Sequence, residues 1–292
     1  MKIARVDRAR CLELARIISD ARGVIDELIE LDPQMVAVRG LVARLGSWGA
    51  IAVVANALVS YNLSCRGEDY WLEFSRELAA EGPGDVRRAH AAFLRASRCN
   101  RLGLEAKLRR LEKFYGSDPA RKLAEDPLAY CGRLGELRDE VARALGSSPG
   151  SKTIAFAAKM YYYALRALEG ARADDCLEFP GEMPVDRRNA LLSAASCIVV
   201  CQADLGECAE HLLRERSTAA EAWREVCAAS GIPCAKLDTL TWLAVGALRD
   251  SGFDARRAAE RLHGGRPPQA LVRVLDELSA CSRPGPRQQF PA

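Results

Sequence analysis

The stretch Ala144-Leu-Gly-Ser-Ser-Pro-Gly-Ser-Lys-Thr-Ile-Ala-Phe-Ala-Ala-Lys-Met-Tyr-Tyr-Tyr163 joins a polar turn to an apolar helix. Its two turn glycines permit backbone conformations that other residues resist, and its proline restricts the remaining choices. Ser151 is placed to cap the following helix, so Lys152 falls in the first helical turn. The pattern predicts a helix over 134–145, a hairpin, and a second helix over 152–168.

Lys152 stands at an unusual place for a lysine. The positive end of the helix dipole disfavours an ammonium there, and burial would disfavour it further. Both effects favour the neutral amine that Schiff-base chemistry requires. Phe156, Lys159 and Tyr163 follow on the same helix face, and this mixed stripe suits a flat anionic ligand. Most lysines near helix starts are simply solvated, and spacing alone leaves that alternative open.

Four segments carry a resemblance to a known family. A helix, a Pro-Gly hairpin and a helix beginning Ser-Lys-Thr resemble the helix-hairpin-helix of the DNA glycosylase superfamily, and Met183–Arg188 is similar to its Pro-Val-Asp segment. Lys152–Met160, Ser60–Ser64 and Gly67–Trp71 resemble the archaeal 8-oxoguanine DNA glycosylase/AP lyases, the AGOG family. These segments, with a later one, run in the family's order from about residue 56 to about 245.

The resemblance implies a fold and an activity. The expected fold is all-α, a single two-lobed helix-hairpin-helix glycosylase domain over 1–282, with the site in the cleft between the lobes and a disordered tail over 283–292. The expected activity is that of a bifunctional DNA glycosylase/AP lyase. Such an enzyme flips 8-oxoguanine out of DNA, forms a Schiff base through a lysine, and cuts the strand by β-elimination.

Two residues carry the implied chemistry. Lys152 matches the family's nucleophile, and Lys159 is a rival on the same helix face. Asp186, which follows Lys152 by 34 residues in the matching segment, is the implied catalytic aspartate. As a helix N-cap it stays an anion, able to stabilise positive charge on the sugar and to help the lysine lose its proton. An aspartate after a proline is also common as a cap alone.

The resemblance further implies contacts to the flipped base. Phe156 and Trp242 would pack its faces, and Asp238, one turn before Trp242, would accept a hydrogen bond from an N–H edge. Trp71 is equally well explained as a core residue, and Lys159 as the partner of a carboxylate. The implied base-contacting set is Phe156, Asp238, Trp242, Trp71, Gln34, Ser60 and Lys159.

The hairpin itself predicts a phosphate cradle. Backbone N–H groups of such a loop hold a phosphate without reading sequence, and its carbonyls would bind a monovalent cation. Many glycine loops are only turns, which is the alternative to a phosphate-binding loop. The predicted phosphate-binding residues are Gly146, Ser148, Gly150 and Ser151.

Composition bounds the function class and the cellular location. The chain has 292 residues, 49% hydrophobic and 28% charged, and no apolar run reaches the roughly 18 residues of a membrane span. Charges near the N-terminus exclude a secretory signal, so we expect the protein in the cytoplasm of a prokaryote, and the resemblance makes it archaeal. We also expect a monomer. Residues 95–122 hold nine Lys/Arg against three Asp/Glu. This basic block suits a DNA backbone or, equally, a solvated face.

Eleven cysteines are many for an intracellular chain. No Cys-x-x-Cys occurs, which argues against a zinc ribbon. Cys201 and Cys208 lack the further pair that an iron–sulfur cluster needs in glycosylase relatives, so no cluster and no metal site are predicted. Most of the cysteines are expected to be small buried hydrophobes. Disulfides are the alternative if the source is a hyperthermophile.

Nearly the whole chain reads as helical, with no convincing strand. One predicted helix runs over 186–200. Two other classes of function are rivals: a helix-hairpin-helix DNA-binding protein without catalysis, and a helical scaffold for protein partners. Only the enzyme explains Lys152 and Asp186 together.

Overall fold

The computed structural model describes residues 4–82 and 84–282. The predicted disordered tail over 283–292 lies outside the described residues. Within those two ranges every helix is too short or too polar to cross a lipid bilayer. In chain order the elements are β1 (Arg5–Val6), α1 (Arg8–Asp20), α2 (Arg22–Leu31), α3 (Pro33–Leu45), α4 (Ser47–Val59), α5 (Gly67–Glu81), α6 (Val86–Ala96), α7 (Leu104–Tyr115), α8 (Asp118–Glu125), α9 (Leu134–Leu145), α10 (Lys152–Glu169), α11 (Arg187–Ala195), β2 (Val199–Val200), α12 (Leu205–Arg214), α13 (Arg216–Ser230), α14 (Cys234–Asp250), α15 (Ala255–His263) and α16 (Gln269–Leu278).

The helices form two compact units. One comprises Leu31–Glu178 and therefore holds α3 to α10; the other combines the described residues of Met1–Glu30 and Phe179–Ala292. The predicted all-α class is confirmed, because the strands contribute only two residues each. Whether 1–282 acts as a single domain stays a prediction.

α4 is the centre of the unit Leu31–Glu178. Every residue from Gly49 to Val59 is buried, and α10 and α3 pack against it. Gly49 permits that packing: a Cβ there would lie 2.9 Å from the Cα of Val42 in α3, closer than real side chains approach. The helix ends at Val59. The chain then turns at Asn62, whose φ is +48°.

The helix-hairpin-helix has the predicted bounds to within one residue. α9 ends where Gly146 adopts the left-handed conformation (φ 65°, ψ 39°), which a residue with a Cβ resists. The N–H of Gly146 reaches the carbonyl of Arg143, and the N–H of Ser147 reaches that of Ala142, the pattern of a Schellman cap. A turn closed by Ser151 N–H on the Ser148 carbonyl then leads into α10.

In the other unit the predicted helix over 186–200 is wrong in its second half. α11 stops at Ala195, Cys197 takes a φ of +64°, and Val199–Val200 pairs antiparallel with Arg5–Val6. The partner strand is far away in sequence, so tertiary pairing overrides the local helical pattern. The same unit also contains α12, where no helix was predicted.

The expectation that most cysteines are reduced is wrong. Ten of the eleven form disulfides, and only Cys11 is free and buried. Three of the five pairs join segments 34 or more residues apart, and the other two join cysteines seven residues apart. The pairs are Cys65–Cys99, Cys131–Cys176, Cys197–Cys281, Cys201–Cys208 and Cys227–Cys234.

Reduction should therefore destabilise the protein. The bonds Cys131–Cys176 and Cys197–Cys281 close loops of 45 and 84 residues, and loops of that size contribute roughly 3–5 kcal/mol each. We expect a phosphine reductant to lower the denaturation midpoint, and a C131S/C176S variant to lie between the oxidised and reduced protein. Thiol titration in denaturant should count one cysteine without reduction and eleven after reduction. An unchanged midpoint after complete reduction would contradict this.

Candidate active site

Lys152 begins α10 directly after the hairpin, as predicted, and its side chain is exposed. The expectation that burial acts on this amine is therefore wrong, because Lys152 follows the exposed residues Ser148 to Gly150 and lies on the solvent side of the first helical turn, whereas Ile154 is buried. Ser151 occupies the N-cap position, but its side chain makes no capping hydrogen bond and its Oγ is buried without a partner.

The predicted stripe on α10 runs from the surface into the core. Phe156 is half-buried, Lys159 is 5% exposed, and Tyr163 is fully buried. The ammonium of Lys159 lies 5.7 Å from the centre of the Tyr163 ring, and the Tyr163 hydroxyl donates to Asp32 at 2.7 Å. Lys159 thus lies in a polar cluster inside the unit, whereas Lys152 faces solvent.

Asp32 is the member of this cluster that the sequence did not single out. It caps α3 by accepting the Gln34 N–H at 2.8 Å. Burial raises the pKa of the Asp32 carboxyl, while the charge of Lys159 and the hydrogen bonds from Tyr163 and Gln34 act in the opposite direction. The carboxylate-partner alternative for Lys159 is therefore supported. Asp32 before Pro33 is a helix-start signal that marks this residue in the sequence.

Gln34 has an unusual side chain. It is 2% exposed, and its Oε1 has no hydrogen-bond partner within the described part of the chain. A buried orphan acceptor is costly unless a ligand supplies the donor. The structure therefore adds weight to Gln34 as a base-contacting residue.

Trp71 and Phe156 form an edge-to-face pair. Their ring centres are 6.0 Å apart at an interplanar angle of 83°, and the other side of Trp71 meets Phe74. Trp71 is 1% exposed, so it holds Phe156 in place as a core residue. Ser60 follows α4 and donates to the Asn56 carbonyl at 2.7 Å. Direct base contacts by Trp71 and Ser60 stay predictions.

Of the four predicted phosphate-binding residues in the hairpin, two use their N–H groups internally. Gly146 and Ser151 donate to protein carbonyls, whereas no hydrogen bond from the N–H of Ser148 or Gly150 occurs among the described residues. Ser148 and Gly150 are exposed. The cradle for a phosphate therefore reduces to these two N–H groups and the start of α10.

The hairpin carbonyls were predicted to bind a monovalent cation. The Ser148 carbonyl already accepts the Ser151 N–H, and Nη2 of Arg138 lies 3.5 Å from the Pro149 carbonyl. These two oxygens therefore fit a cation poorly, and the cation stays a prediction. Within the described ranges no group of three or more His, Cys, Asp or Glu side chains forms a metal site.

In the other unit, Asp186 is the N-cap of α11, as predicted. Its Oδ1 accepts the N–H of Arg188 at 2.8 Å and of Asn189 at 3.1 Å. These two residues in turn contact the predicted base-contacting residues of α14. The first turn of α11 therefore connects Asp186 with Asp238 and Trp242, which together are called the base wall below.

Asn189 fixes Asp238. The amide Nδ2 of Asn189 donates to Asp238 Oδ1 at 3.0 Å and to the Pro184 carbonyl at 2.6 Å. Asp238 is 9% exposed, so this bond orients a buried carboxylate. The sequence did not mark Asn189; its place three residues after the cap is the only signal for it.

Arg188 covers one face of Trp242. Its guanidinium carbon lies 3.2 Å from the ring centre, and Nη1 lies 3.5 Å from the Trp242 carbonyl. Trp242 is half-buried, as a side chain that stacks on a ligand should be. The unit thus brings Asp186, Asp238 and Trp242 together through Arg188 and Asn189.

Comparison with known proteins gives a consistent result. The family model AGOG, described as N-glycosylase/DNA lyase, matches residues 15–275. The N-glycosylase/DNA lyase of Methanopyrus kandleri is 36% identical over 78% of this chain and 84% of its own length. That of Thermococcus kodakarensis is 31% identical over 86% of this chain and 85% of its own.

A solved structure agrees in fold. The 8-oxoguanine DNA glycosylase of Pyrobaculum aerophilum, crystallised with 8-oxoguanosine, superposes with a TM-score of 0.67 at 26% identity, covering 94% of this chain and 97% of its own. The predicted glycosylase fold is thereby confirmed. With helix-hairpin-helix, capped aspartate and base wall in the family's order, the chain belongs to the AGOG family of N-glycosylase/DNA lyases, enzymes that act on DNA.

Proposed function

We propose that this enzyme removes 8-oxoguanine from DNA and cuts the strand at the resulting site, with Lys152 as nucleophile and Asp186 as electrostatic catalyst. The relative of known structure is named an 8-oxoguanine DNA glycosylase, and this supports the choice of base. The enzyme is proposed to act as a monomer in the cytoplasm of an archaeal cell, without a bound cofactor.

The observation that carries the choice of nucleophile is the contrast between the two lysines of α10. Lys152 is exposed at the end of the hairpin, where a DNA strand can reach its amine. Lys159 is buried beside Tyr163 and compensates the charge of Asp32. Making Lys159 the nucleophile would remove its positive charge and leave a buried carboxylate uncompensated.

The reaction proceeds in two stages. The Lys152 amine, having lost a proton, attacks C1′ of the flipped nucleotide, while the C1′–N9 bond breaks and the base leaves with its electron pair and takes up a proton. The Asp186 carboxylate stabilises the positive charge that develops on the sugar. Ring opening gives an iminium at C1′. Loss of a C2′ proton then expels the 3′ phosphate, which is the β-elimination.

Base recognition divides between stacking and hydrogen bonding. Phe156 and Trp242 supply aromatic faces, which bind guanine and 8-oxoguanine alike. Discrimination between guanine and 8-oxoguanine requires a hydrogen-bond acceptor for N7–H, which only the oxidised base carries. We assign this acceptor to the side chain of Asp238. The orphan Oε1 of Gln34 is assigned to another N–H of the purine. The base can stack on the face of Trp242 that Arg188 covers only when the Arg188 guanidinium moves away from the ring.

Variants of the base wall test this division. Trp242→Ala should weaken binding of damaged DNA by roughly 1–3 kcal/mol, because one stacking surface is lost. Asp238→Asn should reduce excision of 8-oxoguanine more than it reduces cleavage at a preformed abasic site, where there is no base to read. Single-turnover rates on the two substrates make the comparison. Equal losses on both would assign Asp238 to the chemistry or the fold.

The proposed activity has a direct test. A duplex carrying one 8-oxoguanine should lose the base and be nicked, while the matched guanine duplex stays intact. Binding without base release would support the rival helix-hairpin-helix binding protein. Release of the base without nicking would remove the lyase step but keep the glycosylase.

A further inference from the structure

The basic block over 95–122 divides into distinct groups of cations. Arg121 pairs with Asp118 and Glu125, and Lys122 pairs with Glu140. Lys107 is fully buried and donates to Asn100 at 2.9 Å. The six cations of the block that form no ion pair among the described residues are Arg95, Arg98, Arg101, Arg109, Arg110 and Lys113.

Arg110 differs from the other five because it alone is half-buried. Its Nη2 donates to Thr153 Oγ1 at 2.9 Å, and its buried Nε has no hydrogen-bond partner among residues 4–82 and 84–282. Burial lowers the pKa of the guanidinium, yet an arginine stays charged at neutral pH. A partly desolvated cation that meets only a neutral hydroxyl lacks the anion that would compensate it.

The neighbours of Arg110 indicate where an anion would bind. Thr153 is in the first turn of α10, next to Lys152. Lys113, one helical turn after Arg110 on α7, has its Nζ 3.7 Å from where a Cβ of Gly146 would lie. Lys113 is exposed and also borders a surface cavity of about 410 Å³ between α7, α8 and α9.

We propose that Arg110 and Lys113 of α7 form a second binding position for a DNA backbone phosphate, beside the one at the hairpin. This inference rests on the family's action on DNA. It gives α7 a phosphate contact through charged side chains, in addition to the contact through the hairpin N–H groups. An arginine fork bonds phosphate oxygens in pairs, and the lysine adds a point charge. Thr153 orients Arg110 towards the strand that Lys152 attacks.

A phosphate explains the cluster better than a base edge does. Base edges are neutral and do not compensate the charge of Arg110, whereas a phosphodiester does. The contact should therefore be independent of sequence and of damage, and sensitive to salt. Both features separate it from the base wall.

The test is equilibrium binding in the Lys152→Gln background, where no chemistry interferes. Fluorescence anisotropy would follow binding to an undamaged duplex and to an 8-oxoguanine duplex at several salt concentrations. The test variants are Arg110→Gln and Lys113→Gln. Arg121→Gln is the matched control, because it removes the same charge from an arginine that carboxylates already compensate.

We expect each test variant to bind both duplexes about tenfold more weakly, with the slope of log affinity against log salt reduced by about one. Arg121→Gln should bind like the parent. The proposal is overturned if Arg110→Gln matches the parent in affinity and in salt slope. It is also overturned if Arg121→Gln loses as much affinity, because the cations would then act only through the long-range electrostatic field of the protein and not through a specific phosphate contact. Melting curves of each variant show whether weaker binding comes from a lost phosphate contact or from a destabilised fold. Because the undamaged duplex carries no damaged base to excise, the result on that duplex is independent of which lysine reacts.

Discussion

Replacing Lys152 with glutamine should abolish both the covalent complex trapped by borohydride and strand nicking. A carboxamide of similar length cannot form an imine with C1′, so the nucleophile is lost outright. Stability and duplex binding should change little, because Lys152 is exposed and contributes no buried side chain to the core. Trapping gels, melting curves and binding isotherms on the same preparation make the comparison.

Lys159→Gln is the matched control. It should melt at a lower temperature than the parent, since Asp32 loses the charge that compensates it, but it should still be trapped on DNA below that temperature. Trapping that survives in Lys152→Gln and disappears in Lys159→Gln would transfer the nucleophilic role to Lys159.

Asp186→Asn has the second largest expected effect. Asparagine retains the oxygen that accepts the N–H groups of Arg188 and Asn189, and it is as good an N-cap as aspartate. Stability should therefore fall by less than about 1 kcal/mol. Base excision should slow about 10²–10³-fold, because the charge that stabilises the developing sugar cation is gone.

Single-turnover excision rates and melting temperatures of this variant separate the two roles of the side chain. Activity within a few-fold of the parent would mean that Asp186 is only a helix cap. A large drop in melting temperature would instead mean that the carboxylate charge holds α11, and the loss of activity would then say little about catalysis.

The sequence predicted best where local chemistry decides the structure. A glycine at 146 specifies the left-handed end of α9, and the proline and second glycine specify the turn, so the hairpin bounds follow from residues within the hairpin itself. Asp186 was predicted as a cap for the same reason. Both features depend on contacts across a few residues.

Prediction failed where distant segments meet. The chain after Ala195 leaves the helical pattern because Val199–Val200 pairs with Arg5–Val6, and no local signal shows that partner. Disulfide pairing likewise depends on how closely two chain segments approach in the fold. The burial of Lys159 and the exposure of Lys152 follow from how α10 packs on α3 and α4, which a helical face alone does not reveal.

The site residues show the same division. Phe156, Asp186, Asp238 and Trp242 were predicted because they stand in segments that resemble the family. Asp32, Asn189 and Arg110 were missed because their importance lies in what they touch: a buried lysine, a buried carboxylate, and the start of α10.

The central claim, that Lys152 attacks C1′, is tested most directly by locating the trapped bond. The unmodified enzyme is reacted with an 8-oxoguanine duplex under borohydride, digested with nuclease and protease, and the sugar-bearing peptide is sequenced by tandem mass spectrometry. We expect a reduced sugar adduct on Nζ of Lys152 and an unmodified Lys159. An adduct on Lys159, or on any amine other than that of Lys152, would contradict it.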